Sequence, residues 1–301
     1  MIRSRTAAAL FLVCFAATGI LAAGEAVQGD GLVLEWSARA LYPGEVLACR
    51  IAAPLDTKGV VVQAFGSSFP AFRDGPSGRW TALVGIDLDL RPGRHELVVE
   101  SWSPHARHRL EAVLRIHPKE FPVRRIQVED RYATPPAEVM ERIRREQELT
   151  RRIFQTVNPE KLWEGPFLRP VPGEVISTFG KRSIVNGQPR SPHSGTDFRA
   201  AAGTPIRAPN AGRVVLGQEL YFSGNTVILD HGGGLYSYFA HLSEIMVQVG
   251  DNLKPGEILG RVGATGRVTG PHLHWSVRLA GARVDPLSLL RAVTLLQGPS
   301  L

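Results

Sequence analysis

The chain has 301 residues, 44% of them apolar and 21% charged, with a net charge of +7 and a pI near 9.8. That mix excludes a disordered chain and allows one large domain or two ordinary ones. The basic excess suits an anionic polymer or surface, while no basic, aromatic-interleaved motif of the usual nucleic-acid modules is present, so nucleic acid is not expected as a partner.

Residues 1–23 read as a signal peptide. Arg3 and Arg5 precede an apolar run from Thr6 to Leu21, and the small residues Ala22, Ala23 and Gly24 follow. The run is short for a span, so cleavage is expected rather than a retained anchor. No later stretch is apolar enough to cross a bilayer, and no stable membrane insertion is expected after cleavage. Loss of Arg3 and Arg5 leaves 33 basic against 28 acidic residues, about +5. Of the two cysteines only Cys49 then remains, which excludes an internal disulfide and a thiolate metal site. In "EVLACRIAA" it is expected to be a buried thiol in a strand. The expected location is the periplasm, with full secretion as second choice, since no wall-anchoring module or repeat is visible.

Residues 24–120 alternate short apolar runs with turns: "GLVLEWSA", "GEVLACRIA", "GVVVQAFG", "HELVVESW" and "LEAVLRIH" are separated by "YPGE", "RDGPSGR" and "RPGRH". Strands at this spacing predict an immunoglobulin-like β-sandwich. Residues 121–157 form a linker that carries a charged helix over 134–157. Thr134 is its expected N-cap, and Glu141 with Arg145 and Glu148 with Arg152 are favourable i,i+4 pairs. The helix leads directly into the third segment, and from its position and charge it is expected to lie against a groove there and hold that domain in check. Residues 158–292 return to glycine-rich short strands and predict a compact antiparallel β domain; 293–301 form a tail. The fold class is thus mainly β. The Gly232–Gly234 run reads as a hairpin turn rather than a flexible loop.

Four histidines and an aspartate of the third segment form a pattern. "PHSGTDF" holds His193 and Asp197, "YFAHLSE" holds His241, and "TGPHLHWSV" holds His272 and His274. Residues i and i+2 of a strand share a face, so His272 and His274 project side by side. A catalytic zinc needs three protein ligands and one open position. His193, Asp197 and one of the 272/274 pair complete that set and leave two histidines for proton transfer. His105, His108, His117 and His231 read as ordinary surface or core residues.

"HSGTDF", "AHLSE" and "TGPHLHWSV", with "GTPIRAPNAGRVV" and "VGDNLKPGEILGRVGATGRVTGPHLHW", resemble the signature motifs of lysostaphin/LytM-type zinc metallopeptidases, peptidase family M23. The resemblance covers about residues 170–290. It implies a small antiparallel β fold with a groove over zinc, and hydrolysis of peptide bonds in bacterial peptidoglycan, the expected partner; it names no protein partner. Residue by residue it implies His193, Asp197 and His274 as ligands of Zn2+, and His241 with His272 as the catalytic pair. The resemblance leaves their division of roles open, and a neutral imidazole beside the metal suits His272 as base, with His241 orienting the water or stabilising the oxyanion. The alternative is a LytM-type activator of another wall hydrolase, a role of relatives that have lost ligands. A biotinyl-type carrier, suggested by "VGDNLKPGEILGRV", leaves the histidines unexplained.

Overall fold

A computed structural model describes residues 26–74, 78–126 and 135–297. The predicted signal peptide and the Thr134 cap lie outside the described residues.

The first domain is a sandwich of two antiparallel sheets. One runs, in spatial order, Ala26–Gly29, Leu32–Ala38, Val46–Ala52, Arg79–Gly85, Phe72–Asp74; the other Ser67–Pro70, Gly59–Ala64, Gly93–Trp102, Arg107–Ile116. Alternate residues face inward: Leu32, Leu34, Trp36 and Ala38 from one sheet, and Leu110, Ala112, Leu114 and Ile116 from the other, are all buried. This period of two supplies two apolar faces that can only be dried by each other. Cys49 sits in the Val46–Ala52 strand, fully buried. Burial pushes its thiol up to about 12, so it is an unreactive apolar filler at neutral pH.

A short strand, Val123–Ile126, pairs in parallel with Arg182–Val185 of the second domain. A 3₁₀ turn, Ala137–Val139, then leads into helix α1, Met140–Gln155. The predicted ion pairs form on its outer face, Glu148 to Arg152 at 2.7 Å and Glu141 to Arg145 at 3.8 Å. Its other face carries Ile143, Ile153 and Phe154. Ile153 and Phe154 pack on Leu216, Ile228 and Tyr236 of the second domain.

In that domain one antiparallel sheet runs Val175–Ser177, Gly195–Phe198, Leu273–Leu279, Leu235–Ile245, Gly224–Asp230, Gly212–Leu220, Asn252–Leu253. The Leu273–Leu279 strand is central, with a partner on each side. Leu273, Trp275, Val277 and Leu279 are buried in the core. His274, Ser276 and Arg278 therefore line the opposite face, toward α1. The three glycines 232–234 all have positive φ and make a packed turn. A Cβ on Gly232 would stand 1.8 Å from the Glu160 carbonyl oxygen, so only glycine fits there. The turn lies at the Leu235 end of its strand, remote from His241.

Where the sequence suggested only a tail from 293, residues Pro286–Gln297 form helix α2. It packs against strands of both domains, Leu32–Ala38 and Val46–Ala52 in the first, Gly195–Phe198 and Leu273–Leu279 in the second. A polar joint accompanies it. Arg39 donates to Glu45 at 2.7 Å and to Asp285 at 2.6 Å, and Ser288 Oγ donates to Glu45 at 2.7 Å while accepting from the Val46 N–H at 2.9 Å. Arg283 donates across the same joint to Asp87 at 2.6 Å. Among the described residues no helix is long and apolar enough to cross a membrane.

Candidate metal centre

Sheet register brings the predicted site residues together. Asp197 on the Gly195–Phe198 strand lies directly opposite His274 on Leu273–Leu279, and Ala240 lies opposite His274 on the other side. Directly paired residues share a face and a short Cβ separation, so carboxylate and imidazole meet without any loop having to bring them there. Asp197 Oδ1 is 2.8 Å from His274 Nδ1. His193 precedes the Asp197 strand in a segment held by two backbone hydrogen bonds, from its N–H to the Lys181 carbonyl at 2.9 Å and from the Gly180 N–H to its own carbonyl at 2.8 Å. Its Nδ1 donates to the Thr178 carbonyl at 3.0 Å, which turns Nε2 inward, 3.0 Å from Asp197 Oδ1 and 3.0 Å from His274 Nδ1.

These three atoms form a nearly equilateral triangle. With Nδ1 of His193 committed to a carbonyl, its Nε2 presents a lone pair, as does the carboxylate oxygen. One proton can bridge a single edge of such a triangle; a cation near its centre satisfies all three corners. Two imidazoles and one carboxylate are a catalytic-type zinc donor set, and zinc bonds of about 2.0–2.1 Å put tetrahedral corners about 3.3 Å apart, close to the spacing seen. The three side chains are the group of metal-capable residues among the described ones. Their side chains are 14–20% exposed, so the triangle is reachable from solvent on one side.

Two further imidazoles stand beside it. His272, bridged to Gly263 just before the strand begins, donates from Nδ1 to the Gly270 carbonyl at 2.9 Å. Its Nε2 points inward, 3.9 Å from Asp197 Oδ1. His241 donates from Nδ1 to the Thr265 carbonyl at 2.9 Å, and its ring lies 5.0 Å from that of His272 and 6.0 Å from that of His274. All five residues selected from sequence therefore meet in one site.

His241 reaches it by a device the sequence pattern does not reveal. Ala240 is the residue opposite His274, so simple alternation would point His241 to the other face. Asn225 pairs with Leu242 and Val227 with Phe239, so Ala240 and His241 together oppose Thr226 in a bulge. His241 takes the left-handed φ of +68° at that bulge. A non-glycine residue held there is strained, and the strain turns the imidazole back toward the triangle. Gly195 is a second unheralded requirement. A Cβ there would lie 2.7 Å from the His274 ring and 2.5 Å from the Trp275 carbonyl oxygen.

The local field follows from this packing. Burial opposes ionisation of Asp197, but close contact with the two imidazoles outweighs it and holds the carboxyl well below its ordinary range. Burial lowers His274 despite the neighbouring carboxylate. Burial, reinforced by the charge of His274, takes His241 down to about 4. Sequence reading also passed over Ser276 and Arg278, although the period of two that pairs His272 with His274 continues to them.

Residues 191–286, which contain all five side chains, match the profile of Peptidase family M23. A crystal structure of a Pseudomonas aeruginosa protein assigned to peptidase M23 superposes with a TM-score of 0.66 at 34% identity, covering 84% of this chain and 96% of that one. Peptidoglycan DD-endopeptidase ShyA of Vibrio cholerae is 39% identical over 137 residues, 45% of this chain and 30% of the relative. DD-carboxypeptidase/endopeptidase Mpg of Neisseria meningitidis is 41% identical over 115 residues, 38% of this chain and 26% of the relative. The chain thus spans less than a third of either curated relative.

Proposed function

We propose that this chain, which belongs to peptidase family M23, is an exported zinc metalloendopeptidase that hydrolyses peptide bonds in bacterial peptidoglycan. The observation that carries the reading is the convergence of His193, Asp197 and His274 on one point, with two further imidazoles at its margin. The complete set of five supports an enzyme over an activator of another hydrolase. The names of the ShyA and Mpg relatives support peptidoglycan as substrate. Arg3, Arg5 and the apolar run behind them support export to the periplasm.

His193, Asp197 and His274 would hold the zinc. Bound there, zinc supplies Lewis acidity that activates water at neutral pH. His272 takes the proton of the attacking water on Nε2, because Nδ1 is already committed to the Gly270 carbonyl. The same nitrogen then returns that proton to the leaving amine. His241 presents Nε2 in the same way, with Nδ1 tied to Thr265, so its neutral ring accepts a hydrogen bond. That suits orientation of the water better than donation to an oxyanion. The carbonyls of Thr178, Gly270 and Thr265 fix three of the four rings and their tautomers.

The deciding experiment is digestion of purified sacculi by the mature chain, with and without a chelator, and by His272→Ala. Soluble products from the zinc-loaded wild type alone are expected, and their masses name the bond. A folded, zinc-loaded wild type that releases nothing would overturn the enzyme reading in favour of an activator.

A further inference from the structure

A cavity of about 220 Å³ lies between α1 and the sheet face beside the metal centre. Its floor is the row His274, Ser276 and Arg278 with Tyr238, and Ile143, Glu146 and Phe154 form part of its roof. Several polar groups of this chamber are already committed. Ser276 Oγ donates to the Ser194 carbonyl, and Tyr238 OH donates to Ser223 Oγ at 2.6 Å. Glu146 is paired with Arg142 Nε at 2.6 Å and accepts from the Tyr221 N–H at 2.8 Å.

Arg278 is different. Its guanidinium lies 5.3 Å from the centre of the Phe154 ring, and its Nη1 is buried with no hydrogen-bond partner. Asp87, the carboxylate whose charge acts on it, is engaged by Arg283 through Nε at 3.1 Å and Nη2 at 2.6 Å. Burial lowers Arg278 only to about 10, so it is a cation at neutral pH. A buried N–H of a cation with no acceptor is costly, and a group entering the cavity can supply the acceptor that Nη1 lacks. The complementary group is a carboxylate, which matches the guanidinium fork.

We infer, resting on the peptidase reading above, that this cavity is a subsite for a carboxylate of the substrate peptide and that Arg278 is the residue that selects for it. Arg278 lies four residues along the same strand from His274, about 13 Å at the rise of an extended chain. The bound carboxylate therefore belongs to a residue three or four positions from the bond held at the metal. A peptide laid antiparallel or parallel to the Leu273–Leu279 strand meets both at once.

The test uses two soluble muropeptide dimers that differ only in having free carboxylates or carboxamides. Binding is measured by calorimetry on the zinc-loaded mature chain in a His272→Ala background, with Arg278 intact, R278K or R278M. The free-carboxylate dimer is expected to bind roughly 10- to 100-fold tighter when Arg278 is intact. R278M abolishes that preference and R278K keeps part of it. Equal binding of the two dimers by the Arg278 protein, or a preference that survives in R278M, would overturn the inference. Should R278M fail to fold, R278K decides: a preference as large as that of the Arg278 protein would overturn the inference, because lysine cannot present the guanidinium fork. A purely structural role for Arg278 would lower thermal stability and leave the ratio unchanged. Failure of the peptidase reading looks different: the otherwise unaltered chain would prefer the free carboxylates and leave the dimer uncut.

Discussion

His193 Nε2 and His274 Nδ1 stand 3.0 Å apart although 81 residues separate them in the chain. Neither position is held by its own loop alone. His193 is turned by the Thr178 carbonyl, His274 by sheet register against Asp197. Removal of either ring should therefore abolish metal binding without disturbing the strands. His274→Ala is expected to lose zinc and hydrolysis together, whereas His272→Ala keeps zinc and loses hydrolysis by at least about 10²-fold. Metal content by mass spectrometry alongside sacculus digestion checks both; a fully active His272→Ala would remove that residue from the role of base.

The bulge at His241 separates backbone from side chain in a second prediction. Asparagine tolerates the left-handed region, whereas a β-branched residue does not. His241→Asn should fold with near wild-type thermal stability and yet be strongly impaired in hydrolysis. His241→Val should be impaired and also destabilised by about 2 kcal/mol, since it adds backbone strain. Thermal melts of the two variants are the measurement. Equal stability of Asn and Val would show that the φ of +68° carries no strain.

That same residue marks where sequence reading stops. His272 and His274 could be placed on one face from their spacing alone, and the motif around Asp197 needed no coordinates. His241 could be selected but not aimed, because the bulge depends on pairing with Thr226 in a different strand. The β-sandwich was legible because alternation in segments such as "LVLEWSA" is local. Helix α2 was not, since its twelve residues are apolar on most sides and owe their helical state to packing between two domains. Arg278 was legible in principle, two steps beyond His274, but its unpartnered nitrogen emerges only once Arg283 is seen to occupy Asp87.

The joint between the domains gives a third prediction. Glu45 is almost fully buried, and its carboxylate relies on Arg39 and Ser288, with Lys119 farther off at 3.5 Å. Arg39→Met removes the main counter-charge and leaves both Glu45 and Asp285 without it. Loss of one partner of such a pair costs about 3 kcal/mol. Because the joint couples the domains, calorimetry should show a single thermal transition splitting in two. The double change Arg39→Met with Glu45→Gln should recover part of the loss; no recovery would mean that Glu45 does not depend on Arg39.

Helix α1 supplies a fourth. Phe154 meets Tyr236 edge-on at 5.7 Å and covers Arg278 at 5.3 Å, so it is one of the apolar anchors of the helix on the second domain. Phe154→Ala removes a half-buried ring, a loss of about 2 kcal/mol. The helix is also tied by buried Ile143, by Ile153, by Glu146 to the Tyr221 N–H, by Arg142 to Glu219 at 3.4 Å, and just past its end by Tyr236 OH to the Thr156 carbonyl at 2.7 Å. The expected result is faster amide hydrogen exchange across Met140–Gln155 with little change in the central Leu273–Leu279 strand. Uniform acceleration in both would show that the helix is integral to the domain rather than laid upon it.

The last prediction concerns acid. His231 is fully buried, donating from Nδ1 to the Ala211 carbonyl at 2.6 Å and accepting at Nε2 from Ser237 Oγ at 2.9 Å, with Phe167 packed on it at 5.1 Å. In the neutral ring Nδ1–H donates and Nε2 accepts, so both nitrogens are satisfied without a buried charge. Burial lowers its pKa to about 4, against about 6.5 in an unfolded chain. Between these values the unfolded chain binds the extra proton and the folded one does not, so stability falls as pH falls. The loss begins as pH drops through about 6.5 and levels off below about 4, reaching on the order of 3 kcal/mol. Chemical denaturation of metal-free protein at pH 7.5 and 4.5 should show this difference in wild type. In His231→Gln the difference should shrink by a similar amount, because every other titrating group is common to both proteins. An unchanged pH dependence in His231→Gln would mean that the ring takes up its proton equally well in the folded and the unfolded chain, so that burial does not hold it neutral.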